Sequence, residues 1–215
     1  QLEPDGCDLI SSSGATAMFI IESAMSKGLT FSGVYSVGNS TQIGVEEMME
    51  HFDLTFDSEK SSKVKLLYLE SVKNPDKLLF HARSLIKKGC KIAAIKAGSS
   101  VAGSRAAMSH TGAMATSDLA VEALFRKAGI VRCFGREELT TVASVFMHKT
   151  VKGKRIAIIT HAGGPAVMLT DALSVGGLEI PQFDEAKSNE LLQHLPHGAS
   201  AKNPIDILAT GTPQQ

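Results

Sequence analysis

Short apolar runs alternate with longer stretches in which apolar residues recur every three or four positions, along the whole chain. Asp8-Leu9-Ile10-Ser11 predicts a short strand. From Gly14 to Lys27 the residues Ala17, Met18, Ile21, Ala24 and Met25 keep helical spacing, and Gly28 follows as a stop. Val34 to Val37 predicts a strand closed by Gly38-Asn39, Val45 to Phe52 a helix, and Val64 to Leu69 a buried strand. Pro75 opens a helix that runs to Lys88 and stops at Gly89, since Pro suits the first helical position and Gly the exit. Lys91 to Ile95 predicts a strand, Ser117 to Phe125 a helix stopping at Gly129, Ile130 to Cys133 a short strand, and Glu137 to His148 a helix. Between them, Lys96 to Thr116 is rich in Gly, Ser and Ala and has no strong period. It is expected to be a long loop, a feature that in a compact domain is usually functional.

Val151-Lys152-Gly153-Lys154 is a polar, Gly-containing join, and the pattern restarts after it. Arg155 to Thr160 predicts a strand, Pro165 to Leu173 a helix stopped by Gly176-Gly177, Leu178 to Ile180 a short strand, and Asp184 to Leu195 a helix. Repeated strand-then-helix units define an α/β fold with a parallel sheet and helices on both faces. The boundary divides the chain into 1–150 and 151–215. The second part is near the lower limit for independent folding and is expected to be incomplete.

The 215 residues are enough to bury a real core, and 43% hydrophobic with 20% charged residues is an ordinary globular composition. Lys plus Arg and Asp plus Glu are 22 each, a formal net charge of +0, so bulk charge gives no reason to expect a nucleic acid or an acidic membrane as partner. Trp is absent and aromatics are 5%, which argues against a base-stacking platform. Cys7, Cys90 and Cys133 form no CxxC pair, so neither a disulfide framework nor a zinc site is expected, and a reducing cytoplasmic setting is the default. The histidines show no HExxH pattern, and no metal site is expected. No apolar run reaches the roughly 18 residues of a membrane span. Gln1 in place of Met suggests a fragment or a processed chain.

Four places carry candidate chemistry. Ser11-Ser12-Ser13-Gly14-Ala15 lies at a strand-to-helix turn, where free N–H groups and the helix dipole favour an anion; the plain alternative is a Ser N-cap with Gly for a tight turn. Thr160-His161-Ala162-Gly163-Gly164-Pro165 has the same character, and is neither a dinucleotide fingerprint nor a Walker A loop. His110, in Ser109-His110-Thr111-Gly112-Ala113, has neighbours small enough for a reactant to reach its ring; a neutral imidazole can act as a nucleophile, although a lone His is more often structural. Glu70 directly follows Leu66-Leu67-Tyr68-Leu69 at the carboxyl edge of the sheet, where it can orient a histidine ring or simply end a strand in solvent.

Taken in order, Ser11 to Ala15, Val37-Gly38-Asn39, Tyr68-Leu69-Glu70-Ser71-Val72-Lys73, Lys96-Ala97-Gly98, Ser109 to Ala113, Ala162-Gly163-Gly164-Pro165 and Asn203-Pro204-Ile205-Asp206 resemble the NDP-forming acyl-CoA synthetases, the superfamily of succinyl-CoA synthetase and ADP-forming acetyl-CoA synthetase. The resemblance implies a flavodoxin-like, succinyl-CoA synthetase-like domain over 1–150 that bears a phosphohistidine, then the start of a second flavodoxin-like ligase domain over 151–215. It implies an acid–thiol ligase that interconverts acyl-CoA, phosphate and ADP or GDP with a carboxylic acid, CoA and ATP or GTP. His110 becomes the phosphorylated residue and Glu70 the carboxylate that contacts it. Ser13, Gly14 and Ala15 with Gly163 and Gly164 become the two phosphate-binding helix starts. Mg²⁺ with ATP or ADP, and CoA, are implied as cofactors bound mainly by CoA-binding and ATP-grasp domains absent from this sequence. The chain alone is therefore expected to be inactive, and to work in an oligomer without nucleic acid or membrane.

This sequence departs from the family pattern at Ser12, often Gln or Arg; at His161, often Asn; and at Ala166, often Gly, which removes some backbone freedom. The competing expectation is a ligand-sensing module without catalysis, as in some protein acetyltransferases that carry a synthetase-like region.

Overall fold

A computed structural model describes residues 2–38, 42–111, 117–149 and 151–211, without the side chains of residues 110 and 111. The chain forms two compact units, Gln1–Lys149 and Thr150–Gln215. In the first, strand and helix alternate: β1 (Cys7–Ser11), α1 (Gly14–Met25), β2 (Phe31–Ser36), α2 (Val45–Leu54), β3 (Val64–Leu69), α3 (Pro75–Lys87), β4 (Lys91–Lys96), α4 (Val101–Thr111), α5 (Asp118–Ala128), β5 (Val131–Cys133) and α6 (Arg136–Met147). The five strands are all parallel and lie in the order β2-β1-β3-β4-β5, a flavodoxin-like sheet.

Successive side chains of a strand point to opposite faces, and both faces are covered here. Leu67 and Leu69 of β3, with Ile10 and Ala94, pack against Met49 and Phe52 of α2, Leu78 and Leu85 of α3, and Phe125 of α5. Leu66 of β3, with Leu9 and Ala93, packs on the other face against Ala17 and Ile20 of α1 and Leu139 and Ala143 of α6. That is why β3 and β4 read as continuous apolar runs instead of alternating ones. The three thiols are buried in these layers; burial pushes Cys7 and Cys133 up to about 12 and raises Cys90 as well.

Polar ties are buried too. At the amino edge Asp8 pairs with Lys65, whose side chain is 2% exposed and whose ammonium sits 4.4 Å from the centre of the Phe52 ring. Between α2 and α3, the buried Asp53 carboxylate accepts hydrogen bonds from His81 Nδ1 (2.8 Å), Ser84 Oγ (2.6 Å) and Lys88 Nζ (2.7 Å). Burial alone would raise the Asp53 carboxyl, but these donors outweigh it and hold it below the ordinary aspartate value.

The expectation of a loop from Lys96 to Thr116 is corrected by α4. Alanine is the best helix former and needs no apolar face, and none of residues 101–109 is buried. A helix that contributes nothing to the core shows no hydrophobic period. Its start is nevertheless marked: Ser100 Oγ accepts the Gly103 N–H at 3.0 Å, as an N-cap does.

In the second unit β6 (Ile159–Thr160), α7 (Gly163–Val175), α8 (Glu185–Leu192), β7 (Ser200–Ala201) and β8 (Ile205–Asp206) follow one another. The sheet order is β6-β8-β7, with β6 parallel and β7 antiparallel to β8. The strand expected over Arg155–Thr160 is shorter, because a side chain replaces part of its ladder. Asn203 Oδ1 accepts from Ile158 N, and its Nδ2 donates to Ile156 O, both at 3.0 Å. The expected strand at Leu178–Ile180 is reduced to a bridge between Arg155 and Glu179. The helix expected to reach Leu195 stops at Leu192, with a turn at Gln193 and His194.

Candidate active site

The strand order makes one edge of the first unit special. From β1 the chain turns to β2 on one side and crosses to β3 on the other, so the loops leaving the carboxyl ends of β1 and β3 diverge, and open α/β sheets bind ligands in that crevice. At the end of β1 the fully buried Ser11 hydroxyl donates to Ser13 O at 2.7 Å and accepts the Ser13 N–H at 3.1 Å. Ser13, in extended backbone, caps α1 by accepting the Thr16 N–H at 3.2 Å. Ser12 N donates to Tyr68 O (3.0 Å) and Val37 N to Ser11 O (2.9 Å), stitching this turn to β3 and β2.

The first N–H groups of a helix, here those of Gly14 and Ala15, have no intrahelical acceptor. The first turn of α1 carries no acidic residue to offset the positive end of its dipole. Glu70 is half-buried and directly follows β3, on the same edge. Tyr68 lies between these groups. Burial raises its phenol despite a lowering hydrogen bond with Thr16, and the Glu70 carboxylate pushes it further up, so Tyr68 stays neutral. The sequence reading assigned Tyr68 no role of its own; its place opposite Ser11 in the ladder follows only from the strand register.

The neighbouring strand β4 ends in Lys96, buried, whose ammonium donates to Gly98 O at 3.1 Å. Burial pushes the Lys96 amine down, as does Arg132, while Asp118 partly offsets them. From this same edge the chain enters α4, and His110 is its penultimate residue. His110 therefore belongs to a helix and not to the expected loop; its side chain, with Gly112 and Ala113 of the motif, lies outside the described residues.

The second unit has a matching turn of its own. At the end of β6, Thr160 Oγ1 donates to Ala162 O and accepts from Ala162 N, both at 3.1 Å, as Ser11 does around Ser13. α7 then starts with Gly163 and Gly164, has no side-chain cap and no acidic residue in its first turn, and Pro165 brings no N–H. A carboxylate adjoins this start from β8: an added Cβ at Gly163 would lie 3.4 Å from Asp206 Oδ2. Ala166 is buried within the helix, a conformation that needs no glycine. The structure thus gathers Ser13, Gly14, Ala15 and Glu70 on one edge, while Gly163 and Gly164 form an equivalent start within the second unit.

Backbone N–H groups and hydroxyls at these helix starts form a donor set suited to an oxyanion. It does not suit Mg²⁺, and among the described residues no group of three or more His, Cys, Asp or Glu could hold a metal ion. No helix of the described residues is long and apolar enough to cross a membrane.

Comparison with known proteins agrees with this architecture. Residues 4–146 match the succinyl-CoA ligase like flavodoxin domain. The chain is 35% identical over 201 residues to the alpha subunit of the ADP-forming acetate–CoA ligase II of Pyrococcus furiosus, covering 94% of this chain and 43% of that protein. It is 34% identical over 210 residues to the ADP-forming acetate–CoA ligase of Methanocaldococcus jannaschii, covering 97% of this chain and 29% of that one. A dinucleotide forming acetyl-coenzyme A synthetase 1 from Ca. Korarchaeum cryptofilum, solved with phosphate and ADP, superimposes with a TM-score of 0.83 at 27% identity, over 98% of this chain and 45% of its own. The strand order and its crevice define a flavodoxin-like α/β domain. This chain belongs to the succinyl-CoA ligase-like flavodoxin domain family, among the NDP-forming acyl-CoA synthetases. It spans less than half the length of these relatives.

Proposed function

We propose that this chain is the phosphohistidine-bearing part of an NDP-forming acyl-CoA synthetase. A phosphate oxygen attacks the thioester carbonyl of an acyl-CoA and expels the CoA thiolate, giving an acyl phosphate. A ring nitrogen of His110 then attacks the phosphorus and the carboxylate leaves. Finally the terminal oxygen of ADP or GDP takes the phosphoryl group and frees the imidazole. Glu70 accepts a hydrogen bond from the other ring nitrogen and holds the tautomer. The N–H groups of Gly14 and Ala15 with the hydroxyl of Ser13 at one stage, and the N–H groups of Gly163 and Gly164 at another, donate to the phosphoryl oxygens.

The observation that carries this reading is the edge where an uncompensated helix start, Glu70 and the strand leading into the His110 helix come together. Mg²⁺ neutralises the nucleotide phosphates, and we assign it, with CoA and the nucleotide base, to CoA-binding and ATP-grasp domains on the same chain or a partner subunit. Residues 1–150 supply the phosphohistidine domain and 151–215 part of a second ligase domain. The setting is the cytoplasm and the working form an oligomer.

The test is labelling of the complete synthetase with γ-labelled ATP and Mg²⁺, followed by tryptic mapping. Acid-labile, base-stable phosphate is expected on the peptide from Ala106 to Arg126, and its absence in His110→Ala. A folded, nucleotide-binding protein that takes no label would overturn the reading and leave a sensing module.

A further inference from the structure

The helix that carries His110 is not anchored by the core over residues 101–109, none of which is buried. In helices of this fold, such as α3 or α5, core packing fixes position. The first turn of α4 is tied by polar contacts that converge on one atom. Gly98 O accepts from Lys96 Nζ at 3.1 Å and from Ser104 Oγ at 2.8 Å, which uses both of its lone pairs. Two glycines make the approach possible. Gly98 has φ of +71°, and an added Cβ there would come within 3.2 Å of Gly103 O and of Ser104 Cα, so loop and helix touch backbone to backbone. The Ala97 N–H donates to Leu69 O at 2.8 Å, which extends the β3–β4 ladder up to this contact.

Lys96 is a costly group to bury. It is 4% exposed, and among the described residues no carboxylate lies within ion-pair distance of it. Lys65, the other fully buried lysine, has Asp8. The charged groups facing Lys96 are Asp118 at the start of α5 and Arg132 of β5, and Arg132 is already paired with Asp118 and Glu122. An apolar side chain would fill the site at lower cost. What only the ammonium supplies there is a charge-assisted hydrogen bond to the carbonyl on which α4 rests.

We propose that Lys96 is a positioning residue: together with Ser104 it clamps the first turn of α4 to the end of β4 through Gly98 O, and so sets where His110 stands. The functional consequence rests on the assignment of His110 as the phosphoryl acceptor; the clamp itself does not.

The experiment compares wild type, Lys96→Met, Lys96→Arg and Ser104→Ala in the complete synthetase by two readouts. One is hydrogen exchange of amides 101–111, and the other is the rate of His110 labelling from ATP as a function of ATP concentration. In Lys96→Met, exchange across α4 is expected to rise at least about tenfold while β3 and β4 stay protected. The labelling rate at saturation is expected to fall roughly 10- to 100-fold, the cost of misplacing a reacting group, with the half-saturating ATP concentration unchanged. Lys96→Arg restores a donor and recovers part of both effects. If Lys96→Met does not fold, Ser104→Ala decides alone, because it removes the other donor from a half-exposed site. Unchanged exchange in whichever variant folds overturns the clamp. Faster exchange with unchanged labelling overturns its role in positioning His110. Wild type that exchanges slowly in α4 but takes no label refutes the phosphohistidine reading and leaves the clamp standing.

Discussion

Asn203 does with one side chain what a strand normally does with its backbone. Its amide takes the Ile158 N–H, gives one hydrogen to Ile156 O, and gives the other to Pro181 O at 2.8 Å. Both it and Ile158 are buried, so the Ile158 N–H would otherwise be cut off from water. Asn203→Ala is expected to destabilise the second unit by about 1–3 kcal/mol per buried group left unpaired; denaturant unfolding followed by a probe on that unit measures it. Asn203→Asp keeps the acceptor but sets a buried carboxylate oxygen against the Ile156 and Pro181 carbonyls, so it should cost at least as much. The sequence motif containing Asn203 was legible as a family signature, but the task of this residue was not. A hydrogen bond between positions 158 and 203 has no local trace in the chain.

At the scale of elements, α2 and α3 are joined by one carboxylate. Asp53, held below the ordinary aspartate value, binds no proton in the native state at a pH where the unfolded chain already binds one. The stability it contributes is therefore fully present above its unfolded value, near 3.8, and is lost as pH falls through the lower folded value. Asp53→Asn is expected to lower stability at neutral pH and to flatten this acid limb, which unfolding free energies measured across that range would show. Most elements of the first unit were readable, because an apolar period exists wherever a helix or strand feeds the core, as at Ala17 and Ala24 in α1 and Phe125 in α5; Met18 and Met25, read on the same face as Ala17, are exposed, and Ile20 takes the core position instead. Glycines gave the exits, as at Gly129, where φ of +84° is a left-handed cap. α4 was missed for the same reason the others were found, since it buries nothing. Ser100, three residues before Gly103, was the available signal for its start, and it is a weak one in a stretch full of serines.

At the scale of the whole molecule, the polar, glycine-containing residues 151–155 are exposed, as are His148 and Lys149. Lys149, Lys152, Lys154 and Arg155 offer tryptic sites there, beside units with their own cores. Brief trypsin treatment is expected to cut within 149–155 ahead of other sites and to leave a first fragment that still unfolds cooperatively; early cuts inside α3 or α6 would contradict this. The carboxyl edge of the first sheet could be placed at Glu70 from the end of the apolar run before it, but the strand order, and with it the place of Tyr68 opposite Ser11, needed the structure.

The buried thiols also give the molecule a chemically silent background. With Cys7 and Cys133 pushed up to about 12, almost none of either sulfur is a thiolate at neutral pH, and Cys90 is shifted the same way. Alkylating dyes react with thiolates, so the natural chain should take up almost none while folded. In this chain, one new cysteine on an exposed position of each unit would then be the only site to label in that unit, so a reporter can be placed without first stripping the native cysteines from the core.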